Sequence, residues 1–318
     1  MKILIIGDNV ATYSLKTDTT YFMLLNLFDM GLSEIYMCFA SQLSQDRDGV
    51  KLSTRKIILK HGVAQMYSTM DWYEFADEQT MELCSFTDIF VRNDPPVDME
   101  YIYLTHMLSS LPASVKVHNP AIALREFNEK LNILKFPAFI AETIVAKSKQ
   151  SILDFVDKHG KCVIKPLDLM GGRGIFILDK TDLNLPYIVQ MATNDYTKTV
   201  MIQKFIPEIV AGDKRIFIVN GELIPYSLCR IPKKGSFKGN IASGASGEVM
   251  PLTVRDTDIG RAISLWAVDN QINFIGFDVI GSYLTEVNLT SPTGTHPIYN
   301  ETGINITRLW LDKVLIKG

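Results

Sequence analysis

The sequence predicts an α/β (α+β) chain of three units: an N-terminal parallel sheet layered with helices, a small central α+β unit, and a C-terminal unit with a mixed or antiparallel sheet. Three observations predict it. Over the first 120 residues, short apolar runs at 3–6, 35–39 and 89–91 alternate with helical patterning at 19–30, the rhythm of β-α-β units. From residue 201 onward, runs at 201–202, 215–219 and 223–228 and a hairpin at 275–288 suggest antiparallel or mixed pairing. The length of 318 residues is too great for one ordinary domain. The expected division is 1–120, 121–203 and 204–318, the central unit forming a lid.

The elements follow in order. Residues 3–6 form a first strand, and Asp18-Thr19-Thr20 caps a helix carrying Tyr21, Leu24, Leu25 and Phe28 that Gly31 ends. His118-Asn119-Pro120 closes the first unit, and residues 123–131 read as a helix with its charges on one side. Residues 163–165 and 174–178 are neighbouring strands around a glycine-rich loop. The stretch 231–250 holds Gly235, Gly239, Gly244 and Gly247 without apolar periodicity, and loops of that length are functional or disordered.

Composition narrows the function. A net charge of -3 leaves no basic footprint for nucleic acid, so small molecules or copies of the chain are the expected partners. No apolar stretch approaches the roughly 20 residues of a membrane span. Cys38, Cys84, Cys162 and Cys229 are scattered without a C-x-x-C pair, which suits a reducing cytoplasm. His61, His106, His118, His159 and His296 form no nucleophile-base pair, and neither a Walker A loop, a G-x-G-x-x-G fingerprint nor the kinase motifs occur.

The hairpin carries the strongest chemistry. Glu286 and Asn288 are two apart on one strand and share a face, and Asp278 can join them from the preceding strand. A two-residue turn at Gly281-Ser282 would set Asp278 opposite Thr285, whereas a three-residue loop from Gly281 to Tyr283 sets it opposite Glu286; the three-residue loop is expected. Two carboxylates and an amide suit a magnesium ion that keeps phosphate and water ligands; a solvated hairpin edge is the alternative.

Other motifs are individually weaker. Lys165-Pro166-Leu167-Asp168-Leu169-Met170-Gly171-Gly172-Arg173-Gly174 sets a lysine and a glycine loop to receive phosphate, unless it is a plain hairpin loop. Met201 to Pro207 reads as a strand leaving into a linker where backbone amides read an adenine edge and Phe205 or Ile206 covers its face, with ordinary core as the alternative. Asp213 can take a ribose hydroxyl, and Arg215 follows it pointing toward the site, unless both belong to a solvated charge cluster. Arg92 and Arg230 stand at strand ends before proline turns that would hold a guanidinium fork, though strand-end arginines are often surface residues.

In this order, Arg92-Asn93-Asp94-Pro95-Pro96, Asn128-Glu129-Lys130, Lys165 to Asp168 with Met170-Gly171-Gly172, Gly212 to Arg215, Arg230-Ile231-Pro232, Gly239-Asn240, and Asn288 with Ser291 to Gly294 resemble the motifs of the ATP-grasp superfamily and specifically of the prokaryotic glutathione synthetase family. The resemblance spans most of the chain. It implies an N-terminal pre-ATP-grasp domain, a central lid and a C-terminal domain carrying the metal site. It implies ATP as co-substrate held by Lys130, Lys165, Met170, Gly171, Gly172, Gln203, Lys204, Phe205, Ile206 and Asp213. Asp278, Glu286 and Asn288 would hold two magnesium ions, with manganese as a substitute; Arg215 and Arg230 would meet the transferring phosphoryl group; Arg92, Asn240 and Ser291 would place the peptide substrate. The implied reaction joins γ-glutamylcysteine and glycine through an acyl phosphate, in a cytoplasmic homo-oligomer. Another carboxylate-amine ligase or a non-catalytic ATP-binding scaffold is the alternative. Two departures stand out: Thr295 to Glu301 follows the S-P-T-G motif where an arginine and an acidic helix start are usual, and Ser246 stands where an arginine is common, leaving Lys238 or Arg173 to supply that charge.

Overall fold

The structure, a computed structural model, describes residues 1–60, 71–233 and 246–315. The first sheet is built around β1 (Ile3–Gly7), which is buried on both faces. Its alternation explains why: Leu4 and Ile6 enter one apolar core and Ile3 and Ile5 the other. Helix α1 (Thr19–Asp29) follows, capped by the Asp18 carboxylate, which accepts the N–H groups of Thr20 and Tyr21, and leads to β2 (Ile35–Cys38). The parallel run expected from the sequence is present as β2, β1, β7 (Asp88–Arg92) and β8 (Lys116–His118).

The same sheet also continues antiparallel beyond β2, which the β-α-β reading did not anticipate. Strands β3 (Leu43–Asp46), β5 (Tyr73–Phe75) and β6 (Gln79–Glu82) all pair with the long β4 (Gly49–Leu59), and β4 pairs with β2. The β3–β4 turn is made locally, Asp46 Oδ1 accepting the N–H groups of Asp48 and Gly49. After α2 (Met99–Ser109) and β8, helix α3 (Ala121–Glu126) ends five residues before the expected 131. Asn128 is the reason: its Oδ1 accepts the N–H groups of Lys130 and Leu131, replacing the helical acceptors.

The second sheet has the order β11–β10–β12–β9, with β9 (Thr143–Ala146), β10 (Lys161–Pro166), β11 (Phe176–Asp179) and β12 (Val200–Lys204). Helices α4 (Lys149–His159) and α5 (Leu185–Ala192) cover it, and the three close a small core of Ile152, Val156, Ile164, Leu178, Val189 and Ile202. The third sheet has the order β15–β14–β13–β16–β17. Its members are β13 (Asp213–Val219), β14 (Glu222–Ile231), β15 (Ser246–Pro251), β16 (Phe274–Ile280) and β17 (Tyr283–Asn288). Ser246 to Met250, expected to be irregular, thus belong to a strand, paired along β14 from Ile231 to Ser227, whereas Met201 and Ile202, expected in this sheet, pair with β10 and β9 in the four-stranded one. Helix α6 (Val254–Asp269) lies between β15 and β16, and α7 (Thr295–Thr302) and α8 (Ile306–Val314) complete the chain.

The hairpin β16–β17 reaches the expected pairing by another route. Its turn is the two-residue Gly281-Ser282, with Ile280 opposite Tyr283 and Val279 opposite Leu284. A bulge then shifts the register, so that Asp278 pairs with Glu286 and Gly276 with Asn288. Thr285 is the extra residue, and its hydroxyl donates to the Asp278 carbonyl at 3.2 Å.

Long-range polar ties join the sheets. Asn119, past β8, donates from Nδ2 to the carbonyls of Phe274 (2.8 Å) and Leu289 (3.1 Å), and its Oδ1 accepts the N–H groups of Asn273 and Phe274. Glu129 does the same for the segment after β17: Oε1 accepts from the Leu289 and Thr290 N–H groups and the Thr290 hydroxyl, at 2.8 to 2.9 Å.

Candidate active site

Two cavities meet between the sheets. Every residue expected around ATP lines the first: Lys130, Lys165, Met170, Gly171, Gly172, Gln203, Lys204, Phe205, Ile206 and Asp213, together with Asp278 and Glu286. The second is lined by Arg215, Arg230, Asn288 and Ser291, with Ser14, Thr17, Asp18 and Asp94 from the N-terminal unit. Met170, Gly171 and Glu286 line both.

On the first side, β10 delivers Lys165, whose Nζ donates to Gln203 Oε1 on β12 at 2.5 Å, while Gln203 Nε2 donates to Thr143 on β9. Burial holds the Lys165 ammonium below its ordinary pKa. Lys130 bridges the glycine loop and the hairpin, donating to the Leu169 carbonyl (2.5 Å) and pairing with Glu286 (3.1 Å). Burial opposes its charge, but Glu286, Glu129 and Asp168 together outweigh burial and raise its pKa. The loop is held at its base: the carbonyls of Leu167 and Asp168 accept from the Asn128 amide and the Val97 N–H. In the linker, the N–H groups of Lys204 and Phe205 donate to the carbonyls of Glu142 and Lys161, so neither is available to a base edge. Lys161 lies over the Phe205 ring, 4.7 Å from its centroid.

Between the cavities, two aspartates and two arginines interlock. Arg215 clamps Asp278 with Nε at 2.5 Å and Nη2 at 2.9 Å, a bidentate geometry that a lysine cannot copy. Arg230 Nη2 reaches both Asp213 (2.6 Å) and Asp278 (3.0 Å). Burial pushes the Asp278 carboxyl up, but the two guanidinium groups overcome it and hold it well below the usual carboxylate range. Asp213, where burial dominates, is pushed up to about 6, and its Oδ1 is buried without a partner among the described residues. Gly276 makes room for the clamp: a Cβ there would lie 2.8 Å from Pro292 and 3.0 Å from Arg215 Cδ.

Asp278, Glu286 and Asn288, expected around a hard cation, stand together on the hairpin, with both Asp278 oxygens held by Arg215 and Arg230 and Glu286 paired with Lys130. Asp278 is opposite Glu286 in the hairpin, Asn288 Nδ2 lies 3.4 Å from Asp278 Oδ2, and Asp278 is held ionised.

Other expected residues are placed differently. Arg92 lines neither cavity; it is 2 % exposed, and donates to the Thr20 hydroxyl (3.1 Å) and the Pro292 carbonyl (3.2 Å). It is therefore a strut behind the second cavity rather than a fork facing it, because its partners are 72 and 200 residues away and were invisible to local reading. Asn240, Gly239 and Lys238 lie outside the described residues. Ser246 is exposed in β15, and Arg173 lines the first cavity. The departing segment after Gly294 is α7, turned into the core: His296 stacks on Phe22, ring centroids 4.5 Å apart, and Thr295 joins the hydroxyls of Thr19 and Thr307. Asp18, whose local sequence signals only a helix cap, and Glu129, which the sequence shows only within Asn128-Glu129-Lys130, also line the second cavity, though neither is among the expected site residues.

A family model described as prokaryotic glutathione synthetase, N-terminal domain, matches residues 1–125, and one described as prokaryotic glutathione synthetase, ATP-grasp domain, matches residues 129–303. The chain belongs to the prokaryotic glutathione synthetase family. It is 38 % identical over 315 residues to a protein named glutathione synthetase in Neisseria meningitidis serogroup A, covering 99 % of this chain and 98 % of that one. A relative of the same name in Vibrio vulnificus is 37 % identical over 316 residues, covering 99 % and 97 %. Among solved structures, the ATP-grasp ligase PsnB aligns with a TM-score of 0.62 at 13 % identity over 99 % of this chain and 98 % of that one. D-cycloserine synthetase DcsG aligns at 0.66 and 12 %, over 99 % and 100 %. The family's ATP-grasp fold is thus shared where little sequence is.

Proposed function

We propose that the chain ligates γ-glutamylcysteine and glycine to glutathione, using ATP and releasing ADP and phosphate. The observation that carries this reading is the meeting of the cavities at Met170, Gly171 and Glu286, with the Arg215–Asp278–Arg230 network between them. An amine cannot displace oxide from a carboxylate, so the carboxylate must first be activated. A nucleotide in the first cavity points its phosphates at Lys130, Lys165 and the Met170 to Gly172 loop, and Asp213 takes a ribose hydroxyl through its unpartnered Oδ1. Asp278, Glu286 and Asn288 would hold two magnesium ions, or manganese, which when bound neutralise charge developing on the phosphoryl group.

Arg215 and Arg230 stand on the wall where the cysteinyl carboxylate meets the γ-phosphate and orient both reactants. The acyl phosphate formed there is attacked by the glycine amine, and holding carboxylate and amine together contributes an effective molarity of order 10⁵ M. Ser291 contacts the dipeptide, and closure of the glycine loop excludes water. This reading keeps the division 1–120, 121–203 and 204–318 for the pre-ATP-grasp, lid and metal-bearing units. Its partners are small molecules and copies of the chain itself in a homo-oligomer, and its setting is the cytoplasm. Among the described residues no helix is long and apolar enough to cross a membrane.

The test is phosphate release from magnesium-ATP with γ-glutamylcysteine and glycine, each omitted in turn and replaced by other carboxylates and amines. Release that requires both, with glutathione formed, supports the reading; release only with another pair refutes it.

A further inference from the structure

The second cavity has Arg215 and Arg230 on one wall and aspartates on the other, with Glu129 and Glu286 also in its lining. On the wall from the five-stranded sheet, Arg230 is 6 % exposed, its Nε and Nη2 are engaged by Asp213 and Asp278, and its Nη1 has no hydrogen-bond partner among the described residues. Arg230 lines the cavity, and a guanidinium edge there can donate to an anion. On the wall from the N-terminal sheet stand Ser14, Thr17, Asp18 and, at the rim, Asp94. Both capping hydrogen bonds at Asp18 fall on Oδ1, and Oδ2 has no hydrogen-bond partner among the described residues. Asp94 is tied by its N–H to Asp8 Oδ2 and by its carboxyl to Ser291. Asp18 and Asp94 both lie within the field of the buried Arg92, whose own N–H groups go to Thr20 and Pro292. Burial, with Asp8 nearby, pushes the Asp18 and Asp94 carboxyls up, and a cation against this wall would offset that cost.

We propose that Asp18, assisted by Asp94, binds the α-ammonium group of the γ-glutamyl residue, and that this contact orients the dipeptide with its cysteinyl carboxylate toward the guanidinium edges of Arg215 and Arg230. The inference rests on the function proposed above and names the specificity determinant of that site. Glycine's amine is not the occupant, because it must arrive unprotonated at the acyl carbon. Asp18 is a binding residue in this account and a helix cap as well. Asn caps a helix as well as Asp does, so Asp18→Asn removes the charge and keeps the cap.

The experiment compares kcat/KM for γ-glutamylcysteine and for glutarylcysteine, the same dipeptide with hydrogen in place of the α-amino group, in the wild-type chain, Asp18→Asn and Asp94→Asn. The wild type is expected to prefer the amine-bearing substrate by about tenfold to a hundredfold, the worth of a charge-assisted hydrogen bond. In Asp18→Asn that preference falls to within about threefold of unity through a raised KM for γ-glutamylcysteine, and Asp94→Asn lowers it less. A purely capping role moves both substrates together and leaves the ratio alone. An unaltered ratio in Asp18→Asn, or no preference in the wild type, overturns the inference while glutathione formation stands. Failure of the wild type to form glutathione overturns the function and the inference together. Thermal unfolding of each variant checks the fold, and Asp18→Ser, a second good cap, replaces Asp18→Asn if that variant does not fold.

Discussion

The four-stranded and five-stranded sheets both line the first cavity, and they support different kinds of charge. The four-stranded sheet rests on its own small core and presents Lys165, a point charge held by one amide. The five-stranded sheet is buried between the two large cores it shares with the N-terminal sheet, Ile216 and Ile218 facing one and Phe217 and Val219 the other. It presents Arg215 and Arg230, whose forks are fixed by Asp213 and Asp278. Directional guanidinium geometry is found where the backbone is braced on both faces, and a single ammonium suffices on the thinner sheet.

Four substitutions test that contrast. The largest expected effect is Glu286→Gln, which removes a ligand carboxylate and the partner of Lys130. Ligation should fall by at least ~10²-fold to 10³-fold in kcat, with the fold kept but thermal stability lowered because buried Lys130 loses its partner; near-wild-type turnover at saturating magnesium would overturn the metal assignment. Next, Arg215→Lys keeps the charge and loses the fork, and kcat/KM for the acid substrate should drop ~10²-fold. If instead it matches wild type, the five-stranded sheet has no need of directional geometry and the contrast collapses.

Gly276→Ala sharpens the same point without touching a charge. The added Cβ meets Pro292 and the Arg215 stem, so a loss of about 1–3 kcal/mol in denaturant unfolding is expected, together with a lowered kcat. Unchanged stability would mean that the Arg215 stem yields freely. The smallest effect is expected of Lys165→Gln, which raises KM for ATP about tenfold while Gln203 keeps a neutral partner. A greater loss than in Arg215→Lys would reverse the ranking of the two sheets.

Much of the fold was legible locally. The Asp18 cap, the strands on either side of the glycine loop and the hairpin that ends the five-stranded sheet follow from alternation, capping and turn residues, all of which act within a few positions. The antiparallel extension through β4 was not legible, since its pairing joins segments that carry no helix between them to announce a crossover. The hairpin is the instructive case. Asp278 does face Glu286, but by a bulge at Thr285 and not by a longer turn, because two local solutions give the same register and only the packed sheet chooses between them.

The sequence by itself determined the inventory of the site: three oxygen donors on one hairpin, lysines at a strand end and beside an Asn-Glu pair, a glycine loop, and arginines before prolines. These are matters of residue type and short spacing. Tertiary structure alone decided which charges meet. Arg215 reaches Asp278 across 63 positions, Lys130 ties a distant loop to Glu286, and Arg92 turns from the expected substrate contact into a buried strut between Thr20 and Pro292. The physical reason is desolvation. A buried charge must find its partner among whatever the fold brings within hydrogen-bonding distance, and that neighbourhood is set by the packing of sheets far apart in the chain.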